Sequence, residues 1–452
     1  MKNKQIISAK WVLPIKGKPI EDGAVAIENG SIKAVDTKKA LTKRFSGYSQ
    51  IDMGLSAIMP GLVDCHTHLE YSAFRGICDD LPFGLWKIQQ QEKSQVLSTA
   101  DWQVSAELGA YETIRSGITT IADITDTGTS LEAAIKAGLR GKVFYEVSGL
   151  KPNNGILEKT MEGIRNWQAK AKGSLIDIGV SAHAVYTTAP ALLKAISNLA
   201  STQKLSNCIH VSGSMDEYHF VKYGSGPLAH RFKELSGFQE VLWQPMGVSP
   251  VQYLEQWDAF TSPKTIAIHC IHVDEQDLDI LAKNKVNVVH CPSCAAKLGM
   301  GIAPLRKFNQ WKLQLGLGTD SPASNNTMDL FEEMRLGLLL QRANDKSTNG
   351  LAAQDFMKMA TLGGAQVLGL DNEIGSLEPG KKADLIAVDL SQSYQLPAPD
   401  PYSAIVYTCS SADVLLTMIE GEIRFKREEG EELDKKFYEK INALRNKLAR
   451  KQ

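Results

Sequence analysis

Eight short apolar runs, separated by stretches of helical patterning, constrain this chain more than any other feature. From Ala57 onward they read AIMPGLVDCH, GITTIAD, KVFYEV, IDIGVSAH, NCIHV, TIAIHC, VNVVHC and LQLGLGTD. Such alternation builds βα units, whose crossover helices return the chain so that successive strands pair in parallel. Eight units over roughly 270 residues match a (β/α)8 barrel in number and length. The expected fold class is therefore α/β, with a TIM barrel over residues 57–371.

The flanks have a different texture. Residues 1–56 read as short strands and turns, with Asn29-Gly30 as a hairpin signal. Residues 372–428 return to that texture in IGSLEPGKKADLIAVDL and VLLTMIEGEIRFK, so both chain ends are expected to build one small β-sandwich. In residues 429–452, Phe437, Ile441, Leu444 and Leu448 fall at three- and four-residue steps among charges. That is an amphipathic helix, for docking on the core or for contact in a homo-oligomer.

Composition excludes several partner classes. Lys and Arg total 50 against 51 Asp and Glu, so no net field draws nucleic acid or an anionic membrane, and small neutral molecules suit the balance. The N-terminal stretch lacks the apolar segment of a secretion signal, and no run approaches the length of a membrane span. The cytoplasm is the expected location. Seven cysteines, an odd number in apolar contexts, read as buried reduced thiols. CPSC at Cys291–Cys294 has metal-ligand spacing but no second pair, so packing is its expected use.

Histidine placement points to chemistry. Six of the nine (His66, His68, His183, His210, His269 and His290) fall at or just past the ends of expected barrel strands, and Asp320 closes the eighth. Barrel enzymes build their sites at that face. His66 and His68, two apart, share one face of an extended backbone. With His210 and Asp320 they form a set of three imidazoles and one carboxylate for one divalent cation. Zn²⁺ is the first candidate, with Fe²⁺ and Mn²⁺ as alternatives. A binding module would tolerate loss of such a set, so its retention favours an enzyme.

PGLVDCHTHLEYS, the histidines closing strands five and six, GTDSPASNNTMDLFEEMR and GSLEPGKKADLIAVD resemble the amidohydrolase superfamily, in its branch of aminohydrolases and chlorohydrolases. YGSGPLAHRF, GVSPVQYLEQWDAF, AIHCIHVDEQDLDIL and LGMGIAPLRKF are most similar to deaminases of aminodeoxyfutalosine in menaquinone biosynthesis. Deaminases of adenosylhomocysteine and adenosine-like thioethers are close behind.

The resemblance implies metal ligation by His66, His68, His210 and Asp320, with Asp320 also a base. It implies that His269 polarises the leaving-group side or holds the hydroxide, that His183 contacts substrate, and that Trp86 lines the base pocket. A mononuclear site is implied because strand four carries no lysine. His219, His230 and His272 match no family position, and His290 is expected to pack.

Three positions depart from the pattern. Gly213 stands where the family carries a proton-shuttling Glu three residues after the strand-five His. Cys294-Ala295 replaces Ser-Asn, and Val185 replaces Pro. Glu217 matches a second acidic, substrate-binding position, expected to lie a helical turn from the shuttle's atom. Three readings follow: an active deaminase of an adenine-nucleoside-like substrate, a hydrolase expelling chloride or an alkylamine, or a metal-binding pseudoenzyme. Under the first, restoring the carboxylate by Gly213→Glu is expected to raise turnover by about 10²-fold if Cys294 and Ala295 leave the pocket intact, and hardly at all if they have reshaped it.

Overall fold

The computed structural model describes residues 4–150, 155–229 and 246–449. His230 lies outside them. The eight expected barrel runs all form strands: Leu62–Thr67, Ile118–Thr125, Arg140–Val147, Ile176–Ala184, Asn207–Val211, Thr265–His269, Asn287–His290 and Leu315–Leu317. Each pairs in parallel with the next. A parallel bridge between Thr67 and Asp320 closes the ring, with the Asp320 N–H donating to the His66 carbonyl at 2.8 Å. Ile121, Val143, Val180, Ile268 and Val288 are among the buried strand residues that fill the core. Apolar burial on this scale is the dominant stabilising term.

A second sheet of eight strands draws on both chain ends. Its order runs Glu422–Lys426, Val414–Ile419, Leu385–Asp389, Ser56–Pro60, Lys4–Val12, Ile20–Glu28, Ser31–Thr37, with Ser49–Asp52 also paired to Lys4–Val12. Asn29 and Gly30 both take positive φ, 54° and 76°, as a tight hairpin turn between adjacent strands requires. Ile7, Val25 and Ile27 share one buried cluster with Leu385, Leu416 and Met418, so the sheet folds over on itself. Buried Arg140 at the start of the third barrel strand joins the two bodies. Its Nε donates to Asp384 Oδ2 at 2.6 Å and its Nη2 to Oδ1 at 3.3 Å.

The first expected run contains a boundary. Ser56–Pro60 belongs to the second sheet and Leu62–Thr67 to the barrel, and Gly61 between them sits so close to Thr119 that a Cβ would fall 2.2 Å from its side chain.

The terminal helix Arg427–Ala449 follows Glu422–Lys426 directly and packs on the helix Thr99–Arg115. Leu444 and Leu448 are buried, Phe437 stacks on Tyr111 with centroids 5.5 Å apart, and Lys447 Nζ donates to both oxygens of Asp101. The amphipathic pattern therefore serves docking within the chain. Among the described residues no helix is long and apolar enough to cross a membrane.

Candidate metal and catalytic site

His66 lies within the first barrel strand and His68 just beyond it, their ring centroids 4.9 Å apart. His210, from the fifth strand, brings its Nε2 to 3.3 Å from His66 Nε2. Asp320 follows the eighth strand. Its Oδ1 lies 3.4 Å from His66 Nε2 and 3.9 Å from His68 Nε2, and its Oδ2 lies 3.9 Å from His269 Nε2. Two overlapping groups result, His66 with His68 and His210, and His66 with His269 and Asp320, each with ligand atoms within 4.8 Å of one another.

Backbone contacts aim the rings. His68 Nδ1 lies 3.0 Å from the Ile124 carbonyl and His210 Nδ1 2.8 Å from the His183 carbonyl. A carbonyl only accepts, so each Nδ1 carries the proton and each Nε2 lone pair faces the cage. Asp64 ties the first strand to the eighth: its carboxylate accepts from the backbone N–H groups of His66 and Thr319 and, at 2.6 Å, from Thr319 Oγ1. Gly318 permits that approach, because a Cβ there would stand 2.9 Å from His66 atoms. His269 and Asp320 both adopt left-handed backbone, with φ of 79° and 61°. Non-glycine residues pay strain there, and such positions concentrate at functional sites.

Burial sets the charges. It holds the His68 imidazole down to about 3 and that of His269 to about 4, and pushes His183 and His210 well below the ordinary range. Burial would raise the Asp320 carboxyl, but His66, His269 and His68 around it hold it well below the carboxylate range. Neutral imidazole nitrogens beside an ionised carboxylate, with little water to separate them, are the donor chemistry of a divalent transition-metal site. The residues present fit such an ion.

A cavity of about 40 Å³ adjoins the cage, lined in part by Phe83, Trp86, Lys87, His183, Tyr186 and Cys294. Trp86 is fixed by donation from Nε1 to the Ala323 carbonyl at 3.0 Å, and His183 by a 2.7 Å bond between Nδ1 and Thr187 Oγ1. Larger clefts of about 760 and 510 Å³ are lined by other residues and contain none of the candidate ligands.

Glu217 is not in the cavity lining. It is buried on the helix Met215–Tyr223, its oxygens accepting from the backbone N–H of Ser212 at 3.0 Å and of Gly213 at 2.9 Å, and burial pushes its carboxyl up to about 7. At Gly213 itself, a Cβ would meet His269 Cδ2 at 3.0 Å and the Met300 methyl at 3.1 Å. His290 is buried and outside the ligand groups, His272 Nε2 bonds the Met300 carbonyl at 2.7 Å, and His219 lies against Tyr223. Cys291 and Cys294 are buried free thiols, as are the other five cysteines.

Sequence reasoning missed Asp64, Lys87 and Glu146. Glu146, next to last in the third strand, forms a further group of potential ligands with His183 and His210. Asp64 and Glu146 lie inside their strands and Lys87 on a helix, so the strand-closing signal that marked Asp320 did not mark them.

The Amidohydrolase family model matches residues 57–424. A 5-methylthioadenosine/S-adenosylhomocysteine deaminase of Syntrophobacter fumaroxidans is 35% identical over 418 residues, covering 90% of this chain and 89% of its own length. An adenosine deaminase from Xanthomonas campestris with bound zinc superposes with a TM-score of 0.82 at 27% identity, over 98% of both chains. An atrazine chlorohydrolase from Arthrobacter aurescens, complexed with zinc, shares the fold at a TM-score of 0.81 and 20% identity, covering 97% of this chain and all of its own.

Proposed function

From the membership of this chain in the amidohydrolase family of hydrolytic enzymes acting on C–N bonds, we propose that it is a metal-dependent deaminase of an adenosine-like nucleoside. 5′-Methylthioadenosine and S-adenosylhomocysteine are the first substrates to test, because the names of the similar curated proteins carry them. Aminodeoxyfutalosine is the third, on the strength of the sequence segments that resemble its deaminases.

The observation that supports the reading is the overlap at His66 of two groups of potential ligands, one with His68 and His210 and one with His269 and Asp320, with Asp320 also 3.9 Å from His68. His66, His68, His210 and Asp320 would hold one divalent cation, with zinc first because structural relatives were crystallised with it. A cation so held makes water a nucleophile at neutral pH and polarises the atom under attack.

The side chains then divide the remaining work. Asp320, kept ionised by its neighbours, accepts a proton from the attacking water. His269, within 3.9 Å of Asp320 Oδ2, steadies the leaving-group side. His183, anchored through Nδ1, turns Nε2 to the substrate ring. Phe83, Trp86 and Tyr186 supply the apolar walls that exclude bulk water. Seven free, buried thiols suit a reducing cytoplasm.

Gly213 offers no acid to the departing amine, and Glu217 is turned to backbone N–H groups. That favours, as a second reading, slow deamination or a leaving group such as chloride that needs less protonation. Metal analysis followed by ammonia release from the three nucleosides separates these readings. The expected result is stoichiometric metal and ammonia from at least one nucleoside, both abolished by His66→Ala with Asp320→Asn. Metal retained in that double variant would overturn the assignment of the site.

A further inference from the structure

The cleft of about 510 Å³ opens at the end of the barrel opposite the cage. Lys142 lies near the start of the third strand, Asp177 near the start of the fourth, and Lys264 directly before the sixth. The walls carry four ammonium groups, those of Lys142, Lys172, Lys204 and Lys264, against the carboxylate of Asp177. The whole chain holds 50 basic and 51 acidic side chains, so this excess is local. A concave wall of one sign concentrates its field and gathers counter-ions.

Helix ends account for two of the four. Lys172 directly follows the helix Ile156–Ala171, and Lys204 lies two residues past Pro190–Thr202, where an ammonium offsets the macrodipole. Lys142 and Lys264 sit on or beside strands and have no such role. Lys142 is only 8% exposed, and the ion pair it makes among the described residues is a 3.6 Å contact with Asp177, whose side chain is 75% exposed. Burial lowers the pKa of Lys142; Asp177 opposes that, and the Lys264 ammonium adds to it. A buried ammonium facing a second one calls for more negative charge than a carboxylate already solvated by water supplies.

We propose that this cleft binds a phosphate-bearing anion between Lys142 and Lys264. Phosphate oxygens accept from both ammonium groups at once and relieve their mutual repulsion, while Lys172 and Lys204 complete the field at the rim. Asp177 turns aside at little cost, because an ion pair so open to solvent contributes little. The volume of about 510 Å³ falls in the range of small-molecule sites, with room for a phosphate ester as well as for the free ion. None of the candidate metal ligands lines this cleft, so the inference does not depend on the reaction at the cage.

The test titrates the metal-loaded full chain with inorganic phosphate and with uridine 5′-monophosphate by calorimetry, at an ionic strength held constant with sodium chloride. Uridine stands in for adenosine so that the nucleoside pocket is not probed at the same time. Saturable binding is expected. Lys142→Met should weaken it by about tenfold or more, the loss of one charge-assisted hydrogen bond, whereas Lys142→Arg should keep it. Lys264→Met, at an exposed position, should weaken it too, and it carries the test should Lys142→Met fail to fold. Lys39→Met, on the helix Lys38–Arg44 outside the cleft, removes the same charge and should leave the affinity unchanged. Tighter binding of the nucleotide than of phosphate would identify a phosphate ester as the ligand, and equal or weaker binding the free ion. Equal affinity in wild type, Lys142→Met and Lys264→Met would overturn the inference, because the anion would then sit elsewhere, as on the cation of the cage. No saturable binding of either probe up to about 10 mM, or an equal loss in Lys39→Met, would overturn it as well.

Discussion

At position 213 a hydrogen stands where a proton-shuttling carboxylate was expected, and the surroundings have closed on the gap. The ring edge of His269 and the methyl of Met300 occupy the room a side chain would leave through. The sequence alone pointed to a gain of about 10²-fold from Gly213→Glu if Cys294 and Ala295 leave the pocket intact; the packing around position 213 adds a further condition. Gly213→Ala is expected to press on His269 and lower kcat by about tenfold with metal retained, since misplacing a catalytic group by an ångström costs up to about 10²-fold. Gly213→Glu should raise turnover only together with Met300→Ala, which frees the methyl's space. Steady-state kinetics on the three proteins check this, and a gain from Gly213→Glu alone would show that His269 yields easily. The residue identities were legible, whereas the direction of Glu217 was not. Its two backbone hydrogen bonds depend on the turn at Ser212, where φ is 51°, and no spacing rule announces that turn.

Among the elements, the strands were readable because their apolar runs are bounded by turns and helices. The run AIMPGLVDCH hid two strands of different sheets, since apolar character continues through the break. What separates them is backbone pairing: the Gly61 N–H bonds the Asp384 carbonyl of the outer structure, and the Leu62 N–H bonds Gly117 beside the barrel. The terminal helix was readable from its apolar spacing, but its seat on the helix Thr99–Arg115 was not, because that partner lies more than three hundred residues away. Leu448 is fully buried in that seat. Leu448→Ala should therefore destabilise the protein by about 2–4 kcal/mol, lowering the thermal midpoint, whereas the exposed Tyr438→Ala should leave it nearly unchanged. Equal midpoints for the two variants would show that the helix is detached in solution.

For the whole molecule, barrel and outer sheet meet through Arg140 and Asp384, both nearly inaccessible. Removing one partner leaves a buried charge alone, so Arg140→Ala should cost about 3–5 kcal/mol in denaturant unfolding, and Arg140→Met with Asp384→Leu should recover part of it. The barrel they brace carries the candidate ligands at the ends of strands one, five and eight, and the proposed function rests on water replacing an amine. Mass spectrometry after incubating the metal-loaded protein with 5′-methylthioadenosine in ¹⁸O-labelled water tests that most directly. The expected result is a 6-oxo product carrying one ¹⁸O atom, with ammonia released in equal amount. Unchanged nucleoside, or free adenine from cleavage at the sugar, would contradict it.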